Sequence, residues 1–462
     1  MENTETGKKL KIAYLPLTKA NWTNAELEKA REKARAFLAG LPGVVVVGGE
    51  RMIEDEASAM AELERLRGEK VNLVVAHLLS FALGVVLPRI ARALNTPVVL
   101  WSIPEPPPNG GRLRANSFCA ANMNSHILYK LYIPYFNVHG DIDSADTARQ
   151  LESTVRVTRT LEILKDLRIG WIGGRAPGFF TSDCDEMLLR NKIGAEVVPL
   201  TLLEVSSLAR NMPPEKIAAA RRILLDDAAL HSTDAPTDAQ FDLSVAWFAA
   251  VKETMGKYML GAATLRCWPE VIADEMYGIT ICSAIGHLNN HGFLAVCEGD
   301  VYAAVMLTAM RELSGQPPFF CDLIKLDGDY GVAWHCGAAP CALCKSNFRP
   351  EIRRSSTVGG GGVKGCVCEF PLKPGRVTFA RLGETRDGSS FRLLIATGEG
   401  LETDLFVRGN PLKIRFDSGC DALRREILEN GWEHHFSMAY GNLTEELLAL
   451  ARAWNIEATI IR

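Results

Sequence analysis

The sequence predicts an α/β protein: two Rossmann-like parallel-sheet domains followed by a β-rich, barrel-like C-terminal domain. Three observations carry this reading. Apolar, β-branched runs alternate with helical periods through the first third of the chain. A second alternating set opens at Arg168. After Gly337 the texture changes to short β-rich runs separated by turns. Strand–helix alternation builds parallel sheets, and clustered short strands build barrels or sandwiches.

Taken in order, Lys11–Leu17 is a strand, Asn24–Leu38 a helix with a polar start, Val44–Val47 a strand and Asp55–Leu66 a helix. Val71–His77 is the third strand, Phe81–Leu94 a helix and Thr96–Trp101 the fourth strand. The rigid loop Pro104–Gly111 follows, at the carboxyl edge of the sheet where α/β proteins bind ligands. Ser144–Leu167 is a long helix and a boundary, so the first domain spans residues 1–165.

The second domain, residues 166–316, opens with the strand Arg168–Gly173. Its loop, Gly173–Phe180, is neither GxGxxG nor a Walker motif and carries a central proline, so it reads as a strand-to-helix turn rather than a phosphate cradle. A helix from about Ser182, a strand at Ala195–Leu200, a helix at Phe241–Tyr258, a strand at Ala262–Trp268 and a helix at Gly278–Asn289 follow. A strand ending at Glu298 and the helix Val301–Leu313, with Ala304, Leu307 and Met310 on one face, complete it. The third domain, residues 317–462, holds the glycine-rich Val358–Gly365, strands at Val377–Leu382, Phe391–Thr397 and Leu412–Phe416, the helix Thr444–Trp454 and the strand Ala458–Ile461.

The chain has 462 residues, 47% hydrophobic and 23% charged, with net charge −4. That length needs more than one core. The signs are well mixed, which indicates no nucleic-acid or lipid surface. Met1–Lys9 lacks the apolar core of a secretory signal, and no apolar run reaches spanning length. A cytoplasmic location is expected, with reduced thiols for the twelve cysteines. His335-Cys336, Cys341-x-x-Cys344 and Cys366-x-Cys368 form one cluster. The second spacing is tight for a zinc knuckle, so the expectation is that these cysteines are not a required zinc site and that a Cys341→Ser/Cys344→Ser variant stays folded and active.

The chemistry concentrates elsewhere. Glu298 follows the apolar run Phe293–Cys297, Asp322 follows Phe319-Phe320-Cys321, and Gly431-Trp432-Glu433-His434-His435-Phe436 carries adjacent histidines. A lone strand-end acid is commonly a helix cap, and one acid of Glu298-Gly299-Asp300 precedes a helix. Two buried carboxylates and an imidazole, however, suit a divalent ion with positions left for a substrate's oxygens.

Over essentially its whole length the chain resembles the L-fucose/L-arabinose isomerase superfamily, most densely from Cys297 to Cys336: Cys-Glu-Gly-Asp, then Phe-Phe-Cys-Asp, then Trp-His-Cys-Gly. The resemblance implies Glu298 and Asp322 as Mn²⁺ ligands that also move protons, with His435 as third ligand and His434 close behind. Another divalent ion would also suit. His335 resembles a histidine that binds the metal in arabinose isomerases. Candidate substrate-binding residues are His335, His434, Arg266, Trp268, Lys19 and Trp22. The C-terminal domain is short for a fucose isomerase, and the N-terminal sugar-contacting loops do not match.

The implied reaction is aldose–ketose isomerisation through a cis-enediol, on a pentose, a 6-deoxyhexose or a 6-substituted, including sulfonated, hexose. A homo-oligomer is implied, whose sites are completed by a neighbour's first domain. The competing readings are a non-catalytic sugar-binding protein and a metal-dependent carbohydrate hydrolase; turnover and product number separate the three.

Overall fold

The computed structural model describes residues 9–108, 110–272, 279–355 and 364–461. The glycine run Gly359–Gly362 and Gly278, the expected start of a helix, lie outside them, as do the first eight residues. The chain divides into two compact units, Met1–Glu162 with Arg452–Asn455, and Ile163–Ala451 with Ile456–Arg462.

The first unit is built from β1 (Leu10–Leu17), α1 (Ala25–Gly40), β2 (Val44–Val47), α2 (Glu56–Leu66), β3 (Leu73–Leu78), α3 (Leu87–Leu94), β4 (Val98–Ser102), α4 (Ser117–Lys130) and β5 (Tyr135–His139). The strands form one parallel sheet, ordered β2-β1-β3-β4-β5. Helix starts follow local chemistry: Asn24 accepts from the backbone of Glu26 and Leu27, and Asp55 forms a capping box with Ser58. Where the sequence predicts a helix over Phe81–Leu94, α3 begins only at Leu87, with Pro88 in its first turn. A local turn in which the Ala82 backbone donates to the Ser80 carbonyl, and Gly84, where a Cβ would lie 2.4 Å from Ile127 Cδ1, occupy the expected start. The chain leaves this unit through α5 (Ala145–Lys165).

In the second unit, β6 (Arg168–Ile172), α6 (Glu186–Lys192), β7 (Glu196–Leu200), α7 (Leu202–Arg210), α8 (Pro214–Asp227), β8 (Ala229–Leu230), α9 (Asp238–Lys257) and β9 (Ala262–Leu265) come first. Then follow β10 (Ile279–Thr280), α10 (Cys282–Asn290), β11 (Leu294–Cys297) and α11 (Val301–Ser314). A parallel sheet runs β11-β9-β6-β7. Instead of a helix from Ser182, Phe180–Ser182 is a single 3₁₀ turn and α6 starts at Glu186, capped by Asp185. The strand expected to reach Trp268 ends at Leu265.

The remaining elements are β12 (Phe319–Asp327), β13 (Tyr330–Trp334), β14 (Glu351–Arg354), β15 (Lys364–Glu369), β16 (Gly375–Glu384), β17 (Phe391–Gly400), β18 (Leu412–Phe416), α12 (Cys420–Glu429), β19 (His435–Tyr440), α13 (Thr444–Trp454) and β20 (Glu457–Ile461). The order β16-β19-β12-β13-β18-β17 closes on itself through the β16–β17 pair, giving a six-stranded barrel, with β20 added alongside the first half of β17. Closure satisfies the strand edges within the barrel. A small mixed sheet, β10-β15-β14-β8, lies in the same unit.

Helix α11 joins the two layers. It packs on β6, β9 and β11 of the parallel sheet and on β12, β16 and β19 of the barrel. Every residue from Val301 to Met310 is therefore buried, and not only the face of Ala304, Leu307 and Met310. Among the described residues, no helix is long and apolar enough to cross a membrane.

Candidate active site

The turn from β11 into α11 places the first acid. Glu298 has φ +62° and Gly299 φ +78°, a left-handed pair that is costly for the glutamate. Only glycine fits at 299, because a Cβ there would lie 2.3 Å from the Gly174 carbonyl oxygen. Trp171 Nε1 donates to the Gly299 carbonyl at 3.0 Å. The glycine-rich loop is thus a packing partner of the acid turn, in line with its reading as a strand-to-helix turn.

The barrel places the other two groups. Asp322 on β12 and His435 on β19 are direct partners in the antiparallel register, so their side chains share one face. His435 Nε2 lies 2.7 Å from Glu298 Oε2 and 4.0 Å from Asp322 Oδ1. Asp322 Oδ1 is buried and makes no hydrogen bond. Glu298, His434 and His435 offer ligand atoms within 4.8 Å of one another.

A buried frame holds the imidazole. Asp300, the N-cap of α11, accepts from the Ala303 backbone at 2.8 Å through Oδ1. Its Oδ2 contacts His435 Nδ1 at 3.0 Å and accepts from Arg381 Nη1 at 2.6 Å. Arg381, buried on β16, also donates to the Thr181 carbonyl at 2.9 Å. Burial works against charge on His435, but the hydrogen bonds its ring donates to Asp300 and Glu298 outweigh it and push the ring up to about 9. Burial likewise opposes ionisation of Glu298, yet the His435 hydrogen bond and charge leave its carboxyl below the usual range. Asp300 is held lower still: burial is overcome first by Arg381 and then by His435.

Aromatic groups wall the same spot. Trp268 Nε1 reaches Glu298 Oε1 at 3.3 Å. Phe179 stands edge-on to Trp268 and to His434, with centroids 5.1 and 5.2 Å away. His434 is exposed, takes a hydrogen bond at 2.8 Å with Thr181 Oγ1, and lies against His435 at 3.8 Å between centroids. His335, buried at the end of β13, faces Phe320 at 5.2 Å and contacts Cys336 Sγ at 3.4 Å through Nδ1. Arg266 follows β9 and is paired with Glu270 at 2.5 Å. Lys19 and Trp22 belong to the first unit, where Lys19 Nζ lies 5.8 Å from the Trp22 ring and 5.7 Å from that of Phe81.

The second unit thus brings together Glu298, Asp322, His434, His435 and Trp268. Asp300, Arg381, Phe179 and Thr181 were not singled out from the sequence. Arg381 had a signal: a lone charge inside the apolar strand Val377-Thr378-Phe379-Ala380-Arg381-Leu382 needs a buried partner.

The N-terminal domain of fucose/sulfoquinovose isomerases matches residues 15–165, and the C-terminal domain of L-fucose isomerase matches residues 334–462. A sulfoquinovose isomerase of Alkalicoccus urumqiensis is 30% identical over 398 residues, which is 83% of this chain and 85% of the relative. That of Priestia megaterium is 28% identical over 455 residues, 97% of this chain and 98% of the relative. That of Clostridium sp. (strain MSTE9) is 26% identical over the same coverage. The chain belongs to the fucose/sulfoquinovose isomerase family and is an aldose–ketose isomerase.

Proposed function

We propose that this isomerase acts on a 6-sulfonated hexose of the sulfoquinovose type, with a divalent ion, Mn²⁺, held by Glu298, Asp322 and His435. The observation that carries the metal assignment is the donor set itself: two carboxylates and one imidazole converge from β11, β12 and β19, and Asp322 Oδ1 is buried with no hydrogen-bond partner. An oxygen-rich set with one nitrogen suits Mn²⁺. The family is metal-dependent, and the chain has groups able to hold an ion. The names of the relatives support the sulfonated substrate.

When bound, the ion supplies Lewis-acid polarisation of the substrate's C1 and C2 oxygens. Glu298 and Asp322 both approach His435 Nε2; in this reading one carboxylate takes the C2 proton and the other delivers a proton to C1. Asp300 keeps Nδ1–H of His435 engaged and turns Nε2 toward the two acids. In this reading Trp268 and Phe179 give the sugar an apolar wall, and His335, His434 and Arg266, the last from its pair with Glu270, serve as hydroxyl partners. Lys19 and Trp22 of a neighbouring copy would complete the site in a homo-oligomer, the lysine facing the sulfonate. The balance of charge and the absence of a long apolar helix among the described residues support a cytoplasmic location.

The test is a ketose-formation assay on sulfoquinovose, L-fucose and D-arabinose, before and after chelation and with Mn²⁺ restored. Equal turnover on all three sugars overturns the substrate; full activity after exhaustive chelation overturns the metal.

A further inference from the structure

We propose that His287, Cys341 and Cys368 form a second metal site, built for a thiophilic d¹⁰ ion such as Zn²⁺ and separate in chemistry from the oxygen-rich centre. The three residues come from α10, from the 3₁₀ turn Cys341–Leu343 and from β15. Their ligand atoms lie within 4.8 Å of one another, and all three residues are buried.

The sulfur spacing discriminates between occupants. Cys341 Sγ and Cys368 Sγ are 3.6 Å apart. Two sulfurs bound at about 2.3 Å to one tetrahedral zinc stand about 3.8 Å apart, whereas a disulfide needs about 2.05 Å. The observed gap is near the first and far from the second, and it is equally that of a plain thiol–thiol contact, so it leaves room for an ion and excludes a disulfide.

The histidine is prepared as a ligand. Its Nδ1 contacts Asp227 Oδ2 at 2.8 Å, and the same oxygen contacts His291 Nε2 at 2.8 Å. A carboxylate on one ring nitrogen orients a metal-binding histidine and leaves the other nitrogen for the ion. That other nitrogen, Nε2, is buried and makes no hydrogen bond. Gly286, the neighbour of His287, lets the helix approach the chain ahead of Cys341: a Cβ there would lie 2.8 Å from the Ala339 carbonyl oxygen.

The spacing pattern in the sequence grouped His335-Cys336, Cys341, Cys344, Cys366 and Cys368, with the expectation that they are not a required zinc site; the fold instead draws Cys341 and Cys368 to His287, which that grouping left out. In the fold Cys344 Sγ donates to the carbonyls of Lys345 and Phe348, and Cys366 is flanked by Ser244, which accepts from its backbone at 3.2 Å. Thiolate ligands select zinc and similar soft ions, whereas carboxylates favour manganese. The two sites therefore sort ions by hardness. On binding, both sulfurs coordinate as thiolates and His287 as the neutral imidazole, the displaced protons passing to solvent; two sulfur bonds and one nitrogen bond form to the ion, and water would fill the fourth position. No oxidant or reductant is involved. The bound ion would tie α10 and the Cys341 turn to β15.

The experiment uses the whole chain, stripped of metal and reloaded with Co²⁺ alone. A sulfur-to-cobalt charge-transfer band is expected, of equal strength in Glu298→Gln/Asp322→Asn and lost in Cys341→Ser/Cys368→Ser. With Zn²⁺ in place of cobalt, elemental analysis after gel filtration should find one zinc per chain retained by the acid variant and none by the cysteine variant. If the cysteine variant does not fold, the unmutated chain decides: a thiolate band supports the site and its absence overturns it. A band that persists unchanged in a folded cysteine variant also overturns it. Loss of the oxygen-rich centre in the acid variant leaves this readout untouched, so failure of the two assignments can be told apart.

Discussion

Asp300 Oδ2 holds His435 Nδ1 at 3.0 Å while sharing the same oxygen with Arg381 Nη1 at 2.6 Å. The imidazole is thus fixed by a carboxylate that is itself fixed by a buried cation. Asp300→Asn removes the negative charge and leaves Arg381 only Glu433 at 3.5 Å and the Thr181 carbonyl. Removing one partner of a buried pair costs roughly 3–5 kcal/mol, and loss of such a support weakens metal binding about 10–100-fold. Urea unfolding and Mn²⁺ titration read the two effects. A variant as stable and as tight-binding as the parent would show the frame to be ornamental.

Glu298→Gln and Asp322→Asn each keep the shape of the side chain and remove its charge. Each acid is proposed both to hold the ion and to move a proton, so kcat should fall by several orders of magnitude in either variant. Losses of only a few-fold in both would make these acids structural. Chelation should abolish activity, and Mn²⁺ should restore it.

Mixed assemblies test the shared site. A Trp22→Ala chain and a Glu298→Gln chain, each inactive alone, should regain part of the parent activity when assembled together. A fully active monomer in dilute solution would rule the arrangement out.

Acid should weaken the first unit. His77 is fully buried, stacked on Trp101 at 3.8 Å between centroids, and its Nδ1 meets the Tyr14 hydroxyl at 2.8 Å. Burial alone lowers its pKa to about 3. The unfolded chain takes up a proton near the ordinary value of 6.5, where the folded chain does not. Stability is therefore full above that value and falls as pH drops toward 3. Between pH 7 and pH 5 the loss should be roughly 2 kcal/mol, at about 1.4 kcal/mol per pH unit below the unfolded value. Denaturant titrations following this unit measure it, and His77→Phe should flatten the slope even if it lowers the plateau.

Much of the architecture could be read from the chain because its signals are local. Runs such as Leu73–Leu78, buried at every position, and caps such as Asn24 and Asp55 declare themselves. Closure of the barrel was less legible, since the β16–β17 and β12–β19 pairings depend on registers that no short window contains. The same holds at the site. Glu298, Asp322 and His435 were singled out by motif, and the fold brings them together. One acid of Glu298-Gly299-Asp300 was expected to cap the helix; that acid is Asp300, and its second oxygen found His435 only through folding. Phe179 lies in the loop expected as a strand-to-helix turn and Thr181 just ahead of the expected helix, with nothing in either to announce a contact with His434, and His287 gave no hint of Cys341 and Cys368. Each of these partners is set by packing between layers rather than by neighbours in sequence.

The contact between Glu298 and His435 spans 137 positions. On a growing chain the glutamate emerges well before the imidazole that will neutralise it, and the two cannot meet until β19 has zipped between β12 and β16. Closure across so long a stretch of chain is slow relative to the formation of local contacts such as helices. Capture of the proposed ion would therefore come late in the life of the molecule, gated by the last seam of the barrel, with the ion as a clasp on a finished fold rather than a seed for it.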